Sequence, residues 1–304
     1  MPDPAADPAS STLGAARAVE VVAGIASLSR GNGRLFLVVG VFDGLHRGHL
    51  YLLRHLRREA ARRGARPAVV TFDAHPDEIV LGMAPPLLCD LDERLALLAG
   101  HGVDVTVVQH FDLALRLTPY DVFVEMLRAR TEVAGFLMTP DAAFGHERRG
   151  TPGAVAELGR RDAFDVVVLA PLELDGRAVR SSEIRAAVAA GELATARRLL
   201  GRSLAVVGSR VAASGPPGTG PSGGGSDRAE IAFPMPVALP PSGRYAVHVE
   251  PAWRADRPPR PARERDIVEA TAAVDGSSLV LVGRRPLPAA DRLRIAFVRR
   301  DDPA

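Results

Sequence analysis

The stretch GVFDGLHRGH, residues 40–49, places two histidines three residues apart, His46 and His49, with Gly48 between them. Such a pair can move protons, bind a metal or donate hydrogen bonds to phosphate. Zinc is the weaker reading, because no third His, Glu or Cys stands nearby to complete a ligand set. The GxGxxG turn of dinucleotide-binding domains is absent. The stretch instead joins a strand ending near Phe42 to a helix beginning near Arg47, and Gly40 and Gly44 let the backbone approach a ligand. A helix N-terminus directs unpaired N–H groups and the positive end of its dipole at that spot. Two imidazoles on one face of this turn form a compact donor cluster suited to a polyphosphate. A helix cap beside a surface histidine is the other reading of these residues alone.

Further positions point the same way. Ser181 and Ser182 stand where another helix should start, serine being a favoured N-cap, and Arg185 follows one turn later. Asp73 and His75 come directly after a strand, which predicts that they face the same crevice. Phe144 and Gly145 open a glycine-containing loop that could meet an aromatic ring, although a plain turn fits as well. Asp43, Asp73 and Asp141 are candidates to support a metal or orient substrate, and no metal ligand is assigned among them. The chain has no lysine, so a Walker-type phosphate loop and Schiff-base chemistry are both excluded.

The elements that must position these residues follow from the apolar pattern. Short apolar runs at 34–42, 67–72, 103–109, 133–139 and 164–172 alternate with helix-like segments near 47–63, 91–101, 119–131, 152–161 and 182–200. That alternation predicts an open parallel sheet covered on both faces, an α/β domain over 15–203 with functional loops at the carboxyl ends of its strands. Residues 1–14 read as a disordered tail. Beyond 203 the texture changes to a Gly/Pro/Ser-rich loop at 213–228, a Pro/Arg-rich stretch at 256–263 and short β-type runs, predicting a small all-β, barrel-like domain over 204–304.

Across 304 residues, 38 basic and 36 acidic side chains leave a net charge of +2, which argues against a nucleic-acid partner. A single cysteine, Cys89, forbids an intrachain disulfide and fits a reducing compartment. No apolar run reaches ~18 residues and the first residues are acidic and proline-rich, so no membrane span or signal peptide is expected. The expected setting is the cytoplasm; oligomeric state is not legible.

GVFDGLHRGH resembles the HxGH signature of nucleotidylyltransferases, in the form found in bacterial FAD synthetases, the bifunctional riboflavin kinase/FMN adenylyltransferases. VVTFDAHP (69–76) resembles that family's TFDPHP segment, with Ala74 for proline. PDAAFGHERRG (140–150) resembles its DFxFGxxRxG loop, with Arg148 in place and Ala142 replacing the first Phe. VRSSEIRAAV (179–188) resembles its SSTxIR helix, with Arg180-Ser181-Ser182 for Ser-Ser-Thr. The resemblance spans roughly 30–210 and implies transfer of AMP from MgATP to FMN, giving FAD and pyrophosphate. It implies that His46 and His49 serve the phosphates and transition state, and that Ser181, Ser182 and Arg185 hold the β- and γ-phosphates. Binding positions would further include Gly40, Phe42, Asp43, Gly44, Gly48, Asp73, His75, Asp141, Phe144, Gly145 and Arg148, with Mg2+ bridging phosphate oxygens.

The second region departs from the family. Its kinase carries GFPTAN, whose Thr and Asn hold phosphate and magnesium; here AFPMPVA (232–238) supplies neither. Glu269 lies near the expected catalytic Glu without the surrounding signature. Loss of riboflavin kinase activity is therefore expected. Two further functions stay open: a nucleotidylyltransferase with another phosphate acceptor, since Ala74, Thr139, Ala142 and Ala143 differ from the pattern, or a non-catalytic flavin- or nucleotide-binding regulator.

Overall fold

The computed structural model describes residues 19–211, 227–252 and 267–301. The expected tail at 1–14, most of the loop at 213–228 and the stretch at 256–263 lie outside them. In chain order the first region runs β1 (Glu20–Ala23), β2 (Leu35–Val39), α1 (Arg47–Arg62), β3 (Arg66–Phe72), α2 (Pro76–Leu81), α3 (Leu91–Gly100), β4 (Val105–Gln109), α4 (Leu113–Leu117) and α5 (Tyr120–Arg128). It continues with β5 (Val133–Met138), α6 (Pro152–Asp162), β6 (Asp165–Val168), the two-residue strands β7 (Glu173–Leu174) and β8 (Arg177–Ala178), α7 (Ser181–Ala189) and α8 (Leu193–Leu200).

Six strands form one parallel sheet in the order β1-β4-β3-β2-β5-β6. Along β2, Leu35 and Leu37 enter one apolar cluster while Phe36 and Val38 enter another, so both faces are covered, as a continuous apolar strand requires. The chain moves outward from β2 through β3 and β4, then restarts on the other side with β5. This reversal opens a crevice at the carboxyl ends of β2 and β5, the place where open α/β sheets bind ligands.

Five elements escaped the apolar pattern: β1 is a four-residue edge strand, α2 and α4 span only six and five residues, and β7 and β8 only two each. The single helix expected at 182–200 is two, because Gly191 at φ +77° turns the chain between α7 and α8.

The second region holds β9 (Ala205–Arg210), β10 (Asp227–Ala232), β11 (Gly243–Pro251), β12 (Val268–Asp275), β13 (Ser278–Gly283) and β14 (Arg292–Arg300). They close into an antiparallel barrel in the order β10-β13-β12-β11-β14-β9, which leaves no open sheet edge. Period-two alternation sends Tyr245, Val247 and Val249 of β11 inward, against Ile295 and Phe297 of β14. The same apolar cluster includes Ile184, Val188, Leu199 and Leu200, so packing groups the α7–α8 pair with the barrel. Among the described residues, no helix is long and apolar enough to cross a membrane.

Candidate active site

The turn after β2 is held in an unusual backbone. Phe42, Gly44 and Leu45 all take positive φ, at 56°, 77° and 34°. Gly44 is required twice over, since a Cβ there would lie 2.9 Å from the Leu88 side chain. Strain of this kind persists only where surroundings over-determine it, and here every segment of the turn is tied. Thr71 Oγ1 donates to the Val41 carbonyl at 3.0 Å. The buried Asp43 carboxylate accepts from the Leu88 and Cys89 amides at 2.9 and 3.2 Å and pairs with Arg185 at 2.6 Å. Arg202 Nη1 donates to the Gly44 carbonyl at 2.8 Å, and Ser181 Oγ donates to the Asp43 carbonyl at 3.0 Å.

This bracing delivers the two histidines. His46 is the N-cap of α1, its Nδ1 accepting from the His49 amide at 3.3 Å, so the His46 proton resides on Nε2. The two imidazoles stack at 3.7 Å between centroids and 16° between planes, with the Phe42 ring 5.0 Å from His49. Gly48 makes that stack possible: a Cβ there would fall 3.0 Å from the Val179 carbonyl and 3.1 Å from the His46 ring. Burial, reinforced by the charges of Arg202 and Arg185, lowers the His46 pKa to about 4. Burial, then the neighbouring His46, Arg94 and Arg202, pushes His49 well below the ordinary imidazole value. Both rings are therefore neutral at pH 7, each with one N–H to donate.

The histidines line a cleft of about 360 Å³ at the switch point of the sheet, a size suited to a small-molecule ligand. Gly40, Phe42, His46, Gly48, His49, Asp141, Ser181 and Ser182 all border it, so eight predicted positions converge from three parts of the chain. The opposite wall, Leu169–Leu172, follows β6, and Thr139 follows β5. Helix α7 begins with Arg180 as N-cap and no side-chain cap. The expected serine cap is thus corrected: Ser181 and Ser182 occupy the first helical turn, and the Ser181 hydroxyl is committed to Asp43. The amides of this first turn lack a side-chain cap.

Other predicted positions lie elsewhere. Asp43 and Arg185 form the buried pair behind the turn. Asp73 bonds His110 Nδ1 at 2.7 Å and the Phe111 amide at 3.1 Å, and His75 caps α2 by accepting from the Asp77 amide at 3.2 Å. Phe144 packs against Phe123 and Phe136, and Gly145 sits so close to α5 that a Cβ would meet the Tyr120 backbone at 2.6 Å. Arg148 donates to the Asp141 carbonyl at 3.1 Å. Sequence reasoning left Arg180 out of the site, although its ion pair with Asp141, at 2.8 Å, crosses the cleft mouth. Its departure from serine within a phosphate-type motif was the available signal. A larger groove of about 940 Å³ lies between α7 and β10, but its lining is mainly apolar and carries no imidazole.

A family model described as FAD synthetase matches residues 29–183, just over half of the chain and every cleft-lining residue. The chain belongs to the FAD synthetase family. Proteins named bifunctional riboflavin kinase/FMN adenylyltransferase are 31% identical to it over 192 residues in Haemophilus influenzae, covering 62% of each chain. The Pseudomonas fluorescens protein of that name is 31% identical over 191 residues, covering 62% of this chain and 61% of that relative. This member of the FAD synthetase family thus matches about three-fifths of the length of those curated relatives. A solved structure titled macrolide-efflux protein from Streptococcus pneumoniae superposes with a TM-score of 0.70 over 93% of this chain and 90% of its own. At 20% identity that likeness concerns the fold: a sheet region followed by a barrel.

Proposed function

We propose that the chain is an FMN adenylyltransferase that transfers AMP from MgATP to FMN. The stacked neutral pair His46 and His49, at the N-terminus of α1 and sharing one cleft with the α7 N-terminus, carries this reading. A phosphate oxygen of FMN attacks the α-phosphorus of ATP; the new P–O bond forms as the bond to pyrophosphate breaks. No protein nucleophile is needed, so catalysis reduces to alignment and charge stabilisation.

The imidazole N–H groups donate to phosphate oxygens. Negative charge gathering on the phosphate oxygens makes them stronger acceptors, so the hydrogen bonds from both rings strengthen where the transition state needs them. Ser182 and the uncapped amides of α7 offer a second phosphate cradle. Arg185, held by Asp43, acts through the turn it braces, and its field reaches His46.

Among the described residues no cluster of three His, Cys, Asp or Glu side chains could hold a metal. Magnesium would be carried by the nucleotide phosphates and its own waters, and Asp141, which borders the cleft and pairs with Arg180, is the carboxylate we assign to those waters. The buried Cys89 thiol, its pKa raised to about 12 chiefly by burial, stays protonated and suits a reducing, cytoplasmic setting.

The barrel lacks the Thr and Asn of the kinase motif, and we assign it no riboflavin phosphorylation. The test is an end-point assay with MgATP and either FMN or riboflavin. FAD from the first tube and no FMN from the second supports both statements. Nucleotide binding without FAD would instead favour another phosphate acceptor or a binding protein.

A further inference from the structure

The second region is linked to the histidine turn by two separate routes, each through an intermediate segment. The first is charged and buried. Arg294 of β14 donates from Nε and Nη2 to Glu93 Oε1 on α3, at 3.1 and 3.0 Å, and from Nη1 to Glu250 Oε1 of β11 at 2.8 Å. The side chains of Arg294, Glu93 and Glu250 are 9%, 1% and 10% exposed. Glu93 Oε1 also faces Arg202 Nη2 at 3.8 Å, and Arg202 is the residue that donates to the Gly44 carbonyl. The adjacent Arg292 of β14 pairs with Asp90 and Asp92 at the start of α3.

The second route is backbone. The Leu87 amide donates to the Pro236 carbonyl and the Ala238 amide to the Leu87 carbonyl, both at 2.9 Å. The next two amides, of Leu88 and Cys89, are those that hold the Asp43 carboxylate. Pro236 and Ala238 belong to AFPMPVA, the segment without kinase chemistry.

We propose that the barrel is a positioning element for the histidine turn, with Arg294 the positioning residue that fixes Glu93 and, through it, Arg202 against the turn's carbonyls. The proposal rests on the reading of the cleft as the adenylyl-transfer site. A strained turn needs rigid external anchors, and a closed barrel with a packed interior is a rigid one. Arg suits the task because its planar fork holds two carboxylates at once, which a lysine ammonium cannot do with fixed geometry. The segment that would have served kinase chemistry instead holds the neighbouring site.

The test uses the full chain and amide hydrogen exchange read by mass spectrometry, beside FAD-formation kinetics. The triple variant Glu93→Leu/Glu250→Leu/Arg294→Met removes the buried charges together, a replacement that folded proteins often accept without loss of stability. It should make residues 41–49 exchange about tenfold faster, while 35–39 and 245–249 keep wild-type protection. It should also lower kcat about tenfold with the KM values for ATP and FMN within about twofold, the mark of misplaced rather than missing groups. Arg294→Lys keeps a buried cation if the triple variant does not fold, and it should give the same local change in smaller degree. Wild-type protection of 41–49 in a folded variant overturns the proposal. So does loss of protection spread evenly through sheet and barrel, which would make the cluster a matter of general stability. Were the wild-type chain to form no FAD, the adenylylation reading would fall while the exchange experiment still decided the brace.

Discussion

The sheet region and the barrel are built to different tolerances. Non-glycine residues with positive φ occur at Phe42, Leu45, Glu147, Arg148, Ala163 and Asp175, all before α7, whereas among the described residues of the barrel only glycines take such angles. Buried polar atoms without a protein partner, His49 Nδ1, Arg94 Nε and Arg202 Nε among them, all lie before β9, and among the described residues none lies in β9–β14. Strands β10, β12 and β13 of the barrel alternate, while β11 and β14 bury consecutive residues around Glu250 and Arg294, the one buried arginine within the strands, which meets two carboxylates. Beside the histidines, the positive φ of Phe42 and Leu45 and the unpartnered His49 Nδ1, Arg94 Nε and Arg202 Nε combine strain with desolvation, whereas Ala163, Asp175, Arg66 and Thr106 do not border that cleft. Proteins depart from local rules mainly at functional sites, with compensation elsewhere.

The sharpest way to break this contrast is His49→Ala, which removes a donor from the strained side alone. FAD formation should fall about a thousandfold, as for loss of a transition-state donor, while circular dichroism and the thermal midpoint stay near wild type. Retention of full activity would remove the site from the turn. Asp43→Ala attacks the brace instead, leaving Arg185 without its carboxylate and the Leu88 and Cys89 amides without an acceptor. Urea unfolding should report a loss of about 3 kcal/mol, against less than half of that if the pair were solvated.

The pH dependence separates the regions next. In the unfolded chain His46 binds its proton near pH 6.5, but in the folded chain only near 4. Between those values the unfolded state holds more protons, so stability is complete above pH 6.5 and declines as pH falls, by about 1.4 kcal/mol per unit for one histidine. Unfolding at pH 7.5 and 5.0 should differ by about 2 kcal/mol more in wild type than in His46→Gln. Equal slopes would mean that His46 is solvated. The smallest effect belongs to the barrel: Tyr245→Phe loses the hydroxyl's bond to the Pro241 carbonyl, 2.6 Å long, costing about 1 kcal/mol and leaving FAD formation unchanged.

Much of this was legible in residue order. Continuous apolar strands alternating with amphipathic helices specify a covered parallel sheet, and period-two alternation after Leu204 specifies a β unit, because burial selects for these periods locally. The HxGH spacing places two rings on one turn of helix and needs no tertiary information. Residue order could not distinguish a motif residue that faces ligand from one that holds the facing residue in place. Asp43 and Arg185 read as ligand-binding from their motifs, yet they are partners across 142 positions, and Phe144 and Gly145 pack on α5. The pairing of Arg180 with Asp141, and of Arg294 with Glu93 across 201 positions, likewise depends on which elements become neighbours. The periodicity of a segment records that it is buried, and against which solvent-averse face, but carries no record of its partner. Partner choice is settled when the sheet reverses direction between β2 and β5 and the barrel closes, and only then do a charge and its counter-charge share one dielectric environment.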